Sequence, residues 1–494
     1  MSSPRAGSPP RGALRDTRQK TFGHTVRWTV GVVVVPGVVL AVAGYLYVRT
    51  EGWSLATGVA VVPRELEIVA AAGAVGAVVW LSLVLVTYLR SRPSRPTNAQ
   101  RFIGALMTMV LGLAVVAPLA TVSYYALVQR DAINTVVTNE RSATAPVLKH
   151  VTRANLWGDK RRVNLLLLGG DGGVGRTGIR TDSVILVSID THTGKTVMFS
   201  LPRNLRNVPF PAGSPLAALY PNGFEECCSP GESMLNAIYR NVPAVHPGVL
   251  GTSDNEGADA VKLGVSGALG VPVDYYLLVN LNGFQQIVDA IGGITVNINE
   301  PVPINGNTDQ HILPTGYLQP GPNQHLNGFK ALWFTRGRFG STDYKRMERQ
   351  RCAMNAIVHE ARPVKLFTRY TQLASASKKI VRTDIPQQML PAFVDTALRM
   401  KGQPLRSVVF QLSASFNPNA PDFDYLHAAV QRALHPVQVK MRPAGLRGGL
   451  GAVNTGTGKI DVPTTDETTT EATNADSDCT YQPVSAVVAQ TTTP

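Results

Sequence analysis

Three long apolar runs open the chain, roughly Val26 to Val48, Leu66 to Leu89 and Phe102 to Val128, and none carries an Asp, Lys or Arg away from its margins. Each is long enough to cross about 30 Å of hydrocarbon as a helix. Their Val/Ala/Leu/Gly composition lacks the polar stripe that helices of a water-soluble bundle would show. The pattern predicts three transmembrane helices over residues 26–128.

Beyond them the periodicity changes. Residues 129–161 are polar with scattered basic groups and read as a stalk leading into a first helix. VNLLLLGGD (163 to 171) is a continuous apolar run ending in Gly-Gly-Asp, the signature of a strand buried on both faces. SVILVSID and KTVMFSLP flank THTG and predict a hairpin. Helical stretches follow around SMLNAIYR and DAVKLGVSGALG, and then the strands DYYLLVNL and GITVNI bracket a helical FQQIVDAI. Residues 162–365 are thus expected to form an α/β domain, a mixed sheet flanked by helices. Residues 366–440 alternate helical and strand-like patterns and are expected to be an accessory segment. Residues 441–494 are rich in Thr and Gly with acidic residues, a composition that predicts a disordered tail. There are no internal repeats.

Charge sets the topology. The 494-residue chain carries a formal net charge of +14, compatible with nucleic acid, an anionic membrane surface or phosphorylated substrates. Arg5, Arg11, Arg15, Arg18 and Lys20 precede the first run, and Arg90, Arg92, Arg95 and Arg101 follow the second. The loop between those two runs has mainly Arg49 and Arg64, balanced by Glu51 and Glu65. Positive charge marks the cytoplasmic side, so residues 1–25 and the second loop face the cytoplasm, and three crossings place everything after about residue 129 outside. That placement removes nucleic acid as a partner. It also makes Cys227, Cys228, Cys352 and Cys479 candidates for disulfides, with three full pairings open. Neighbouring Cys227 and Cys228 are expected to bond elsewhere rather than to each other, because that bond strains the intervening peptide.

Candidate chemistry gathers at strand ends. Asp171 closes the first strand, and Arg180-Thr181-Asp182 opens the next after a glycine-rich loop. Two carboxylates so placed suit a hard cation, and Mg²⁺ takes one or two carboxylates together with phosphate oxygens and water. Arg203 arrives at the end of the second hairpin strand, with Arg206 behind it reading as solvated. ALWFTRGRFGSTDYKRMERQR (331 to 351) packs six cations against Asp343 and Glu348. Read as a strand, ALWFTRGR sends Arg336 and Arg338 to one face. Asp343, Arg346 and Gln350 stand at helical spacings of three and four and share another. Lys345, Arg349 and Arg351 fall off that face and read as solvated surface. There is no GK[ST] phosphate loop, dinucleotide fingerprint or nucleophile elbow, and no His is placed for catalysis.

NLLLLGGD, RTDSVILVSID, FSLPRN, MLNAIY, GVPVDYYLLVN, IVDAIGGITVNI and ALWFTRGR…TDYKRMERQR resemble, in order and spacing, the LytR-CpsA-Psr family of bacterial cell-wall ligases. The resemblance covers about residues 162–360, and the abundant Ala, Gly, Val and Arg point to an actinobacterial member. It implies a membrane-tethered phosphotransferase outside the cell. Such an enzyme attaches a glycopolymer from a polyprenyl-pyrophosphate carrier to peptidoglycan through a phosphodiester, releasing polyprenyl phosphate. It further implies that Asp171 and Asp182 hold Mg²⁺, or Mn²⁺ in its place. Arg203, Arg336, Arg338, Arg346 and Gln350 would grip the pyrophosphate, Arg180 would add a contact, and Asp343 would orient the arginines or help activate the acceptor hydroxyl. An apolar groove for the lipid is expected beside Phe284 to Ile291. Two positions depart from the family pattern: Asn204 stands where an Asp usually follows the Pro-Arg pair, and Met234 where a Lys usually precedes Leu-Asn. Two alternatives use the same residues: a polyprenyl pyrophosphate phosphatase, with water as acceptor, and a non-catalytic binder of anionic wall polymer or lipid.

Overall fold

A computed structural model describes residues 61–91, 97–136, 140–152, 155–170, 179–225, 229–308, 310–360, 381–436 and 472–482. It divides into two compact units, Met1–Ile133 and Asn134–Pro494.

In the first unit, helices α1 (Pro63–Ser91) and α2 (Asn98–Val136) are both long and apolar enough to cross a membrane. They correspond to the second and third apolar runs. The first run, Val26 to Val48, lies outside the described residues, as does the basic segment 1–25. The two helices approach closely at Gly73: a Cβ there would stand 2.3 Å from Ser123 Oγ. The Ser123 hydroxyl donates to Ala70 O at 3.1 Å, using a small residue and a hydroxyl as apolar helices do in lipid.

The second unit is built on a seven-stranded mixed sheet. Its strands are β1 (Arg162–Gly170), β2 (Thr181–Asp190), β3 (Thr196–Leu201), β4 (Tyr275–Asn280), β9 (Val381–Thr383), β10 (Leu405–Val409) and β11 (Thr473–Asn474), in the spatial order β11-β10-β3-β2-β1-β4-β9. The predicted hairpin is β2–β3, closed by Gly194 at φ +73. A Cβ at Gly194 would meet the Arg399 carbonyl carbon at 2.4 Å, so both conformation and space call for glycine.

Alternation along the central strands splits the core into two layers. Leu166, Leu168, Leu186 and Phe199 face helices α3 (Ile238–Val245), α4 (Glu256–Leu269) and α9 (Phe423–Leu434). Val163, Ile185, Val187 and Met198 face Trp157 and helix α8 (Leu390–Met400). Each such fully buried aliphatic side chain contributes roughly 2 kcal/mol. A third cluster holds helices α5 (Leu281–Ala290), α6 (Gly328–Arg336) and α7 (Asp343–Glu360) against two small hairpins, β5 (Ile294–Ile298) with β8 (Gly321–Leu326), and β6 (Val302–Ile304) with β7 (Gly316–Leu318).

Three sequence-based boundaries do not divide this fold. Residues 140–161, expected as a stalk, are stitched to the unit: Tyr276 donates its hydroxyl to Glu140, Arg141 pairs with Asp254 at 2.7 Å, and Ser142 and Thr144 donate to buried Asp259. Polar residues that look solvated along the chain are here the partners of buried charge. Segment 366–440 supplies β9, β10, α8 and α9 to the main sheet and core and is integral rather than accessory; its residues 366–380 lie outside the described residues. Within 441–494, residues 472–482 are ordered: β11 pairs with β10, and Cys479 is disulfide-bonded to Cys352. Cys227 and Cys228 lie outside the described residues.

The stretch expected as a strand before Arg336 is helix α6. Asn327 caps it, its side chain accepting from the Lys330 N–H, and Ala331, Leu332 and Phe334 are buried. An N-cap followed by an apolar face at three-residue spacing outweighs the strand-like run of side chains.

Candidate active site

Strand directions bring the chemistry to one edge of the sheet. β1 runs antiparallel to β2 and parallel to β4, so Gly170 lies opposite both Thr181 and Asn280, and β3 ends beside the start of β2. The ends of β1, β3 and β4 and the start of β2 therefore meet, at the carboxyl edge of the strands, where α/β folds open their ligand crevices. A cavity of about 430 Å³ opens there, bounded by the sheet and by α5, α6 and α7. Leu167, Ile185, Leu277, Phe284, Leu332 and Met354 supply apolar walls, beside Ser183, Asn280, Asn305 and Asn307. Its polar end carries Asp182, Arg203, Arg336, Arg338, Arg346 and Gln350.

Two carboxylates organise these arginines. Arg203 donates from Nη1 to Asp182 Oδ1 at 2.8 Å, and its Nε stands 3.5 Å from Asp343 Oδ1. Asp343 also receives Arg346, at 3.0 Å to Oδ2, and has Arg338 Nη1 at 3.9 Å. Arg346 is 4% exposed and donates to the Asp182 carbonyl at 3.2 Å. Burial pushes its pKa down, while Asp343 pushes it up. Burial alone would raise Asp182, but Arg203, then Arg346 and Asn236, outweigh it and hold the carboxyl below its usual value. Gln350 donates to Ser183 Oγ at 2.7 Å, and Arg336 lies over the Trp333 ring at 5.5 Å. Four guanidiniums around two carboxylates leave an excess of positive charge at the end of an apolar cavity. That arrangement suits an amphiphile with an anionic head.

Of the residues expected from sequence, Arg203, Arg336, Arg338, Arg346, Gln350 and Asp182 converge here, with Asp343 behind them. Arg180 does not: it turns to Glu232 Oε1 at 2.5 Å and does not line the cavity. Glu232, which also receives Arg240 and Asn241, draws it away. Asp171 lies outside the described residues. Arg336 and Arg338 do line one cavity, but from the end of a helix and the turn after it, not from a strand. Arg349 and Arg351, expected on the surface, are buried. Phe284 lines the cavity, whereas Val288 and Ile291 are core. Asn236, missed in sequence, donates to Asp182 Oδ1 at 3.4 Å and from its backbone to Arg203 O at 3.0 Å. The Leu-Asn pair beside Met234 was the available signal.

The description LytR_cpsA_psr family matches residues 123–435. The chain belongs to that family. Among curated relatives, the family member is 29% identical over 231 residues to the polyisoprenyl-teichoic acid–peptidoglycan teichoic acid transferase TagU of Bacillus cereus, covering 46% of this chain and 62% of that one. It is 28% identical over 235 residues to biofilm regulatory protein A of Streptococcus mutans, covering 46% and 51%. The chain thus spans between half and two thirds of the length of these relatives. Solved structures similar to it include protein gbs0355 of Streptococcus agalactiae, with 26% identity, TM-score 0.38 and coverage of 50% of this chain and 77% of that one. TagV of B. subtilis shows 23% identity, TM-score 0.37 and coverage of 56% and 97%.

Proposed function

We propose that this protein is a phosphotransferase that moves a glycopolymer from a polyprenyl-pyrophosphate carrier to peptidoglycan, forming a phosphodiester and releasing polyprenyl phosphate. The observation that carries the reading is the cavity, which combines apolar walls with the guanidiniums of Arg203, Arg336, Arg338 and Arg346. A transferase relative whose name joins a polyisoprenyl-linked teichoic acid to peptidoglycan supports the same class.

The lipid chain occupies the apolar walls, and the pyrophosphate lies against the guanidiniums, whose paired N–H groups match phosphate oxygens. A peptidoglycan hydroxyl attacks the sugar-linked phosphorus. The new P–O bond forms as the bond to the bridging oxygen breaks, polyprenyl phosphate leaves with that electron pair, and the hydroxyl proton passes to solvent at the open end. Phosphoryl transfer of this kind depends on alignment and charge stabilisation more than on covalent help. Asp343 keeps Arg203, Arg338 and Arg346 aimed at the phosphates.

Mg²⁺, or Mn²⁺, would be held by the hard carboxylate oxygens of Asp182 and of Asp171, the latter outside the described residues. Arg203 and Asn236 both donate to Oδ1 of Asp182. Among the described residues no three His, Cys, Asp or Glu side chains converge. When bound, the cation would offset charge on the leaving phosphate. α1 and α2 would anchor the enzyme in a membrane, as part of the expected multi-pass anchor, with the second unit outside; the Cys352–Cys479 disulfide belongs to an oxidising compartment.

The test incubates the detergent-solubilised full chain with pyrophosphate-linked lipid glycan, peptidoglycan oligomer and Mg²⁺, and seeks attached glycan by mass spectrometry. Attached product lost in Arg338→Ala supports the assignment. Polyprenyl phosphate released without attachment would favour the phosphatase, and lipid binding with no product at all would favour the binder.

A further inference from the structure

Arg349 sits one turn from the cluster and does not line the cavity, yet its guanidinium is buried. It points at the end of α6. The last carbonyls of any helix lack intrahelical donors, and α6 ends at Arg336. Arg349 donates from Nε to Phe334 O at 2.8 Å and from Nη2 to Gly337 O. The next residue, Gln350, donates to Thr335 O at 3.3 Å. Two adjacent side chains of α7 thus hold the carbonyls of residues 334, 335 and 337, which surround Arg336 and lead into Arg338.

The turn has little other freedom. Gly337 N donates to Trp333 O at 2.7 Å, and a Cβ on Gly337 would stand 2.3 Å from Pro303 O. Glu300, 3.6 Å from Arg349 Nη1, supplies a nearby opposite charge for the buried guanidinium. An arginine at this place offers a planar fork that reaches two carbonyls at once, where a lysine offers one point donor.

We infer that Arg349 is a positioning residue: it caps α6 and fixes the 336–338 turn so that Arg336 and Arg338 present their guanidiniums to the cavity. This rests on the reading of Arg336 and Arg338 as the pyrophosphate grip. Arg349 acts through them and touches no substrate.

The test uses the full chain in detergent, as wild type, Arg349→Lys and Arg349→Gln, each also in an Arg336→Ala/Arg338→Ala background. Hydrogen exchange over residues 334–340 and binding of inorganic pyrophosphate are measured. Arg349→Gln should speed exchange at the turn about tenfold or more, leave the central strands protected, and weaken pyrophosphate about tenfold, with Arg349→Lys intermediate on both counts. In the Arg336→Ala/Arg338→Ala background the binding effect should vanish, because the group it acts through is gone. Unchanged exchange at the turn, or the same binding loss in both backgrounds, would overturn the inference, as would a loss of protection spread over the whole unit in Arg349→Lys. If wild type binds no pyrophosphate, the functional reading fails alone and exchange at the turn still decides the positioning role.

Discussion

Arg203 Nη1 lies 2.8 Å from Asp182 Oδ1, joining the residue just beyond β3 to the start of β2 across the hairpin they form. The same guanidinium reaches toward Asp343 on α7, so one arginine ties both carboxylates of the site together. Asp182→Asn keeps the shape and removes the charge. It should lower the transfer rate by about a hundredfold or more, and a rate within threefold of wild type in a product assay would refute its role.

Of the three arginines that approach Asp343, Arg338 has the most exposed side chain, at 42% against 24% for Arg203 and 5% for Arg346. The exposed guanidinium faces the open side of the cavity, where a phosphate would meet it, whereas the buried one is part of the wall. Arg338→Ala should therefore cost about a hundredfold in kcat/KM with the melting temperature nearly unchanged, while Arg346→Ala should lose both activity and several degrees of stability. Parallel kinetics and calorimetry of the two variants distinguish these outcomes.

The apolar walls make a prediction about the lipid. Leu277→Trp places a large ring in the cavity between the sheet and α5. It should raise KM for a long polyprenyl carrier by about tenfold while sparing a carrier of one or two isoprene units. Equal effects on both chain lengths would place the lipid elsewhere.

Cys352 lies two residues beyond Gln350 on α7 and is joined to Cys479, 127 residues away in sequence. Cys352→Ser with Cys479→Ser, or a reductant on wild type, removes a constraint on the unfolded chain and should cost about 2–4 kcal/mol. Thermal unfolding with and without reductant measures it, and a reductant effect that persists in the double variant would assign the stabilisation to other cysteines.

Glu232 provides an electrostatic test away from the cavity. The hydrogen bond from Asn241 lowers its pKa below the usual 4.5, burial opposes this, and Arg240 and Arg180 add to the lowering. A depressed carboxyl stabilises the fold fully above its unfolded pKa, and the contribution is lost as pH falls through the folded value. Wild type should exceed Glu232→Gln in stability at neutral pH, and the two should converge in acid. Parallel curves over the whole pH range would remove this ion-pair account.

Much of the plan is local and so was readable from the chain. The run LLLL within VNLLLLGG is apolar at consecutive positions, as a two-sided strand needs, and THTG places a glycine where the hairpin must turn. Asp343, Arg346 and Gln350 share a face because helical spacing alone requires it. Tertiary structure decided what spacing cannot. Arg349 and Arg351 look like solvated charge by periodicity, yet α7 is covered on more than one side: Arg349 finds the open carbonyls of α6, and Arg351 finds Ser407 and Asp478. Arg180 looks like a phosphate ligand until Glu232, distant in sequence, takes its guanidinium. Residues 140–144 and 472–482 look like linker and tail because their partners are remote in the chain. Burial and charge pairing depend on which segments meet, and only the folded chain determines that.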